Sequence, residues 1–331
     1  MNRELTAFRE HDRATKVDMG GALGLRSFGA IAAHELAARS RTALDAPLEE
    51  DAELWLAEPA DEAVLLGCFQ RGCEVTDTRP LARRGSGGAA VLVGPGSLWL
   101  GLALAHPAAL VACDASKLLN RHVRPLLRAL TKVGCDARYF GRDWVSIKHR
   151  PGAALGFAHD AQSGRSFVEA LIAVRTPFAL GARGSFLGHE PGTLESIVGN
   201  AIDVARLRDA IVGAYGTTYE RTTRSLALAT PPLVKDEEEL RADPPWRATR
   251  EEALGVIAAG PDARGVLRLG GELLASRDAV ANVERDVAAL GRGASPTEVE
   301  RIVTRAFTAP GVATLGVRSF ARVSDVLVHA T

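Results

Sequence analysis

Two hydrophobic periods alternate along this chain. Between residues 52 and 105 the apolar residues come in short runs: AELWLAEP (52–59), AVLLGC (63–68), AAVLVG (89–94) and SLWLGLALA (97–105). Runs of this length, bounded by Gly, Pro and charged residues, predict β-strands. The period then changes. Leu118, Leu119, Val123, Leu126, Leu127, Leu130 and Val133 recur at helical spacing, which predicts a helix over 115–133. ARYF, DWVSIK, AALGFAH and FVEALIAV follow as four more expected strands, and DVARLRDAIVGA as a helix over about 203–214.

The two ends are less regular. The first 27 residues are polar and read as an N-terminal extension, and FGAIAAHELAARS (28–40) reads as a helix. LATPPLVKDEEELRADPPWRA (228–248) is rich in Pro and acidic residues and predicts a linker. Beyond it, GVLRLGGELL (265–274) predicts a strand pair or one bent strand, and RDAVANVERDVAAL (277–290) an amphipathic helix. Ser295-Pro296-Thr297-Glu298 has the make-up of a helix start, with Ser as cap, Pro at the first helical position and Glu able to reach back. That helix runs to about Phe307, and a last one covers roughly 317–328. The expected division is an extension (1–27), a larger unit (28–225), a linker (226–247) and a smaller unit (248–331). The fold class is α/β (α+β): a central mixed sheet with flanking helices, plus a small α/β domain.

Composition narrows the function. Forty Lys and Arg balance forty Asp and Glu among 331 residues, so the net charge is zero. A neutral chain has no global attraction for nucleic acid or an anionic membrane, so neither is expected as a partner, although local patches stay open. The lysines are only Lys16, Lys117, Lys132, Lys148 and Lys235; arginine carries the rest, as in a GC-rich bacterial genome. Cys68, Cys73, Cys113 and Cys135 form no CxxC pair and fit no common zinc spacing, so free thiols in a reducing compartment are expected. The N-terminus has no apolar signal region, and no apolar run approaches the about 18 residues of a spanning helix, so the expected location is the cytoplasm.

The chemistry sits in Arg83-Arg84-Gly85-Ser86-Gly87-Gly88-Ala89. Glycines between strands let the backbone approach a ligand and offer N–H groups to an anion. Adjacent arginines add forked donors for a carboxylate or phosphate. A Gly-rich hairpin flanked by solvated arginines has the same composition, and no Gly-Lys-Ser/Thr follows to make a P-loop. The order of segments is more specific. AVLLGCFQRGCEV (63–75), ARRGSGGAAVLVGPGSL (82–98), the helix over 115–133 and VGCDARYFGRD (133–143) resemble, in this order, the lipoate–protein ligases. That family shares its catalytic fold with biotin–protein ligases and octanoyltransferases. It carries Gly-x-x-Gln-Asn, then Arg-Arg-x-Ser-Gly-Gly-Gly, then Gly-Arg-Asn-Asp, then Lys-x-Ser-Gly. The resemblance covers roughly 40–215, and residues 267–303 resemble, more loosely, the accessory domain of these ligases.

The resemblance implies a biotin/lipoate–protein ligase-like fold and a set of roles. Gln70 matches the glutamine of the lipoyl-tunnel strand. Arg83, Ser86, Gly87, Gly88 and Ala89 match the loop around the acyl chain and the adenylate. Gly141, Arg142 and Asp143 match the segment that approaches the nucleotide, with Asp143 as the Mg2+ candidate. Ala154 stands at the ligase glycine. ATP, Mg2+ and lipoate are the implied cofactors. The implied partner is the lipoyl carrier domain of a 2-oxoacid dehydrogenase or glycine cleavage protein. The pattern departs where the chemistry is most demanding. Ala89 replaces the third glycine, Trp144 follows Asp143, and the lysine position is Pro151. A fixed ammonium there lowers the repulsion between a carboxylate and ATP, and an oxyanion donor lost in this way costs about 2.7–4 kcal/mol. Lys148 and Arg150 are the nearest substitutes, although a strand points odd-offset neighbours to opposite faces. His149 is a weaker cation. A Cys135 thiolate would permit acyl transfer without ATP. Three readings follow: an ATP-dependent ligase, a ligase-fold protein that binds a lipoyl ligand or domain without catalysis, and a cysteine acyltransferase.

Overall fold

The computed structural model describes residues 21–177, 189–228, 237–252, 255–291, 293–317 and 319–331. Lys16, Lys235, residues 1–20 of the expected extension and residues 229–236 of the expected linker lie outside the described residues. In chain order the elements are β1 (Leu23–Ile31), α1 (Ala33–Thr42), β2 (Ala52–Pro59), β3 (Ala63–Leu66), β4 (Leu81–Arg83), β5 (Val91–Val93), β6 (Ser97–Leu104), α2 (Leu118–Lys132), β7 (Ala137–Arg138), β8 (Trp144–Ile147), β9 (Arg150–His159) and β10 (Ser166–Ala173). There follow α3 (Leu194–Val198), α4 (Val204–Tyr219), β11 (Thr223–Ser225), α5 (Glu237–Ala242), β12 (Ala248–Glu252), β13 (Gly255–Pro261), β14 (Leu267–Gly271), β15 (Leu274–Ala275), α6 (Arg277–Leu290), α7 (Pro296–Phe307), β16 (Thr314–Leu315) and α8 (Phe320–Ala330).

The large sheet has the strand order β11-β1-β2-β6-β10-β9-β8-β7. It is mixed: β1 runs parallel to β2 and β11, and the other pairs are antiparallel. Its central strands are apolar on both faces, because both are covered. One face carries Leu54, Leu100, Leu155 and Val168 against α2 and α4. The other carries Trp55, Trp99, Ala154 and Phe167 against α1 and the small sheet β4-β3-β5. The C-terminal part has its own core, in which Ile257, Leu269, Val283, Val303 and Val326 join β13, β14 and three helices.

Three expectations need correction. Residues 23–27, read as extension, and 28–31, read as helix, form β1, with buried Leu23 and Ile31 at its ends. A bulge at Gly29 (φ +70°) breaks the strand alternation that would have announced it. The helix therefore starts later, at Ala33, and Asp61 Oδ1 accepts from its first N–H (2.6 Å) because Ala32 has no capping side chain. The acidic linker is not free chain either. It holds α5, whose Leu240 is buried with Val64, Leu66, Leu81 and Leu92. Arg71 stacks on Trp246 (3.6 Å) and donates to the carbonyls of Pro244 (2.7 Å) and Gly260 (3.0 Å).

Pro125 lies inside α2. It has no N–H to offer the Arg121 carbonyl, and its ring crowds that turn. Two tyrosines of α4 meet the loosened carbonyls: Tyr219 Oη donates to Arg121 O (3.4 Å) and Tyr215 Oη to His122 O (2.8 Å).

Candidate functional site

The Gly-rich segment links β4 to β5 and crosses β9 and β10 on the face with Trp55 and Trp99. A buried carboxylate holds it there. Glu169 of β10 pairs with Arg84 (2.9 Å) and accepts from Ser40 Oγ (3.0 Å), Trp99 Nε1 (2.9 Å) and Ser86 Oγ. Arg84, Ser86 and Glu169 are each at most 1% exposed. Arg84 spends its remaining donors on the carbonyls of Leu65, Gly87 and Ala89, at 3.1, 3.1 and 2.9 Å. Burial pulls the Arg84 pKa down, against the opposing pull of Glu169. A buried ion pair survives when its remaining donors and acceptors are satisfied, as here. Gly156 is required beneath the loop: a Cβ there would stand 2.1 Å from Ser86 Oγ.

The loop residues named from sequence are therefore brought together, but with their polar groups already engaged. The Ser86 hydroxyl donates to Glu169. The Gly85 N–H donates to Ser40 Oγ (2.9 Å), the Gly87 N–H to Phe157 O (2.8 Å) and the Gly88 N–H to Leu273 O (3.0 Å). Gly88 has φ +103°, whereas Ala89 is not among the positive-φ residues, so alanine fits there without strain. Arg83 turns the other way, donating to Gln70 O (3.0 Å) and pairing with Asp243 (3.1 Å). Gln70 Oε1 accepts from the Gly67 N–H (2.8 Å) and fastens its own turn. Ser40, Trp99 and Glu169 were not foreseen. Glu169 did leave a signal, as a lone carboxylate inside the apolar run FVEALIAV; such residues are buried when paired.

Alternation on β8 and β9 shows which face Pro151, the position the resemblance gives to lysine, belongs to. Trp144 pairs with Ala154 in the core on the loop face, and Val145 pairs with Ala153 in the opposite core. Ser146 returns to the loop face and pairs with Pro151, past a register shift that leaves Gly152 as the extra residue. Ile147, in the opposite core, pairs with Arg150. Pro151 thus sits on the face of the Gly-rich loop and Arg150 on the other. Arg150 donates to the carbonyls of Glu190 (3.2 Å) and Pro191 (3.0 Å), and Lys148 Nζ reaches Ile197 O at 3.4 Å. The structure does not bring these two substitutes to the loop. His149 shares the two-residue turn with Lys148, and both have positive φ, 46° for Lys148 and 69° for His149. Lys117 and Lys132 lie at the two ends of α2, against the opposite face. Cys135 is 0% exposed in the α2-side core, away from the Gly-rich loop, and burial pushes its thiol pKa up.

Gly141 and Arg142 line a cavity of about 280 Å³ with Ser116, Leu119, Asn120 and Tyr139. Leu274, Leu315 and Gly316 of the smaller unit close it. Leu274 also stands 3.4 Å from where a Cβ on Gly88 would be, so it reaches both the cavity and the loop. Asp143 is 4% exposed, and its carbonyl accepts from the Leu155 N–H (2.7 Å). Trp144 is built into the core beside Ala154. Among the described residues no three His, Cys, Asp or Glu side chains cluster as metal ligands. A single carboxylate such as Asp143 holds Mg2+ only together with the phosphates of a nucleotide.

No model of a known protein family matches this sequence, and no curated protein matches it. Solved structures do. The chain is similar to LipL1 of P. falciparum in complex with lipoate, with a TM-score of 0.63 and 13% identity over 92% of this chain and 98% of that one. It is also similar to a lipoate-protein ligase A bound with ATP, with a TM-score of 0.52 and 16% identity over 67% and 93% of the two chains. A third likeness is to the bi-partite lipoate protein ligase of Thermoplasma acidophilum, studied with its E2 lipoyl domain, with a TM-score of 0.51 and 17% identity over 67% and 90%. Likeness at these identities defines an architecture: an α/β ligase fold with a central mixed sheet and flanking helices. That fold is the one of the lipoate–protein ligases. Among the described residues no helix is long and apolar enough to cross a membrane.

Proposed function

We infer that this chain binds a lipoyl-type acyl acid and engages a lipoyl carrier domain, and that alone it does not form the acyl-adenylate at a ligase's rate. The observation that carries this reading is Pro151. It faces the Gly-rich loop and, by the resemblance, stands where the ligase pattern has lysine, while Lys148 and Arg150 bond to the backbone of residues 190–197 on the other side. Proline has neither charge nor donor to offset the repulsion between an acyl carboxylate and the α-phosphate of ATP. The acyl-binding half of the reading is supported by the retained Gly-rich loop over an apolar face with the small residues Ala154 and Ala158. A bound acid would be held at that loop, and Gly88 would have to exchange Leu273 O for the ligand.

A second reading, an ATP-dependent ligase with Mg2+ and lipoate, is favoured by the cavity beside Gly141 and Arg142. Its guanidinium offers forked donors to phosphate. Asp143 would then complete a Mg2+ site only with ATP present. Titration of lipoate into the purified chain, followed by calorimetry with and without ATP, tests both readings. Binding of lipoate without ATP is expected. No heat with lipoate under either condition would remove the acyl-binding reading. Binding that appears only with ATP would favour the ligase.

A further inference from the structure

The outward face of α2 carries a run of cations that the candidate site does not use. Lys117, Arg121, Arg124, Arg128 and Lys132 are spaced four, three, four and four residues apart. At 3.6 residues per turn they fall within an arc of about 80° and extend about 22 Å along the axis. Lys117, Arg124, Arg128 and Lys132 are exposed and Arg121 is half-buried. The helix itself, LLNRHVRPLLRALTK, contains no acidic residue. Asp114 lies 3.6 Å from Lys117 and is itself highly exposed. Arg128 donates only to Thr218 Oγ1 (3.0 Å). Among the described residues no carboxylate comes within ion-pair distance of Arg121, Arg124, Arg128 or Lys132.

A surface helix normally mixes signs, because like charges one turn apart repel by a few tenths of a kcal/mol each. This stripe is concentrated positive charge on a chain whose total is zero. It also has a direction. Its N-terminal end meets the cavity of Gly141 and Arg142, whose wall includes Ser116, Leu119 and Asn120 of the same segment. Phe140, the most exposed large apolar side chain among the described residues at 62%, stands next to Gly141. An exposed apolar side chain one residue from a cavity that a positive stripe reaches has the make-up of a protein-docking surface rather than of solvated helix.

We propose that α2 is the docking face for an acidic surface of the acyl carrier domain, with Phe140 as the apolar contact nearest the cavity. The proposal rests on the acyl-binding, carrier-engaging reading above and adds where the carrier sits and what charge it presents. Nucleic acid and anionic membrane share the charge requirement. The stripe's arrival at the cavity favours the partner that carries an acyl acceptor. Complementary charge at an interface acts mainly on encounter and register.

The test measures association of the full chain with the unlipoylated lipoyl domain of a 2-oxoacid dehydrogenase E2 subunit, at low and at high salt. Arg124→Glu/Arg128→Glu is compared with Arg264→Glu/Arg301→Glu, which reverses exposed charges on the smaller unit. The α2 variant is expected to associate on the order of tenfold more slowly and to lose most of the salt dependence, whereas the control keeps wild-type rates. Equal rates for all three proteins would overturn the proposal, as would equal slowing in both variants. If the wild-type chain fails to bind the lipoyl domain, lipoate calorimetry separates the outcomes: lipoate bound means the docking face is wrong, and neither bound means the acyl-binding reading is wrong as well. Binding of a single-stranded oligonucleotide or of phosphatidylserine vesicles that alone is lost in the α2 variant would reassign the stripe and overturn the carrier.

Discussion

At the residue scale, the Gly-rich loop depends on one carboxylate. Glu169 receives Arg84, Ser40, Ser86 and Trp99, so its charge orders a loop that has no hydrophobic anchor of its own. Glu169→Gln leaves the buried Arg84 charge uncompensated and is expected to cost about 3–5 kcal/mol, read as a lower urea midpoint. An unchanged midpoint would mean the loop is held by its backbone bonds alone. His122 makes a second residue-scale prediction. It is buried between α2 and α4, its Nδ1 lies 2.7 Å from Tyr219 Oη, and desolvation pushes its pKa down to about 3. The unfolded chain then binds a proton near pH 6.5 that the folded chain refuses. This contribution to stability is present above pH 6.5 and is lost progressively as the pH falls from there toward about 3. His122→Phe should flatten the pH dependence of the unfolding free energy in that window, whatever its own stability. Part of this was legible: a lone Glu in an apolar strand asks for a partner. Which of Arg83 and Arg84 supplies it was not, because a loop has no period to assign inward and outward positions.

At the element scale, strands and helices with clean periods were readable and the irregular ones were not. The run of leucines on α2 and the Ser-Pro-Thr-Glu start of α7 stand as read, and Ser295 and Glu298 form the reciprocal cap. β1 escaped because its bulge breaks the alternation, and α5 because a Pro- and acid-rich stretch reads as chain without structure. The hairpin between β8 and β9 was expected from the strands DWVSIK and AALGFAH, but the conformation of its turn was not. Its two turn residues, Lys148 and His149, both adopt the left-handed region, which in a two-residue hairpin normally selects Asn-Gly. Left-handed backbone costs a non-glycine residue roughly 1–2 kcal/mol. Lys148→Asn/His149→Gly is therefore expected to raise stability by about 1 kcal/mol and to increase the melting temperature. A decrease would show that the Lys148 contact with Ile197 O outweighs the turn.

At the scale of the whole molecule, the smaller unit completes the candidate site. Leu273 O takes the Gly88 N–H, and Leu274 lines the cavity of Arg142 and reaches Gly88. The loop and the Gly-Arg-Asp segment could be picked out in the sequence, because their glycines stand at a recognisable spacing. It could not reveal that Leu273 and Leu274, far downstream in the smaller unit, close over them. Strand parity in the sequence turned Arg150 away from the face of Pro151, and the pairing of β8 with β9 does so as well, although the bulge at Gly152 lay outside what parity could show. The proposed function combines a ligase fold that binds an acyl acid with the absence of the adenylating cation from its loop face. Lipoate-dependent exchange of pyrophosphate into ATP by the purified full chain, beside a ligase that has the lysine, tests it most directly. Exchange at background is expected for this chain and clear turnover for the ligase. Exchange well above background with Pro151 in place would contradict the proposed function and would mean that another cation reaches the acyl carboxylate.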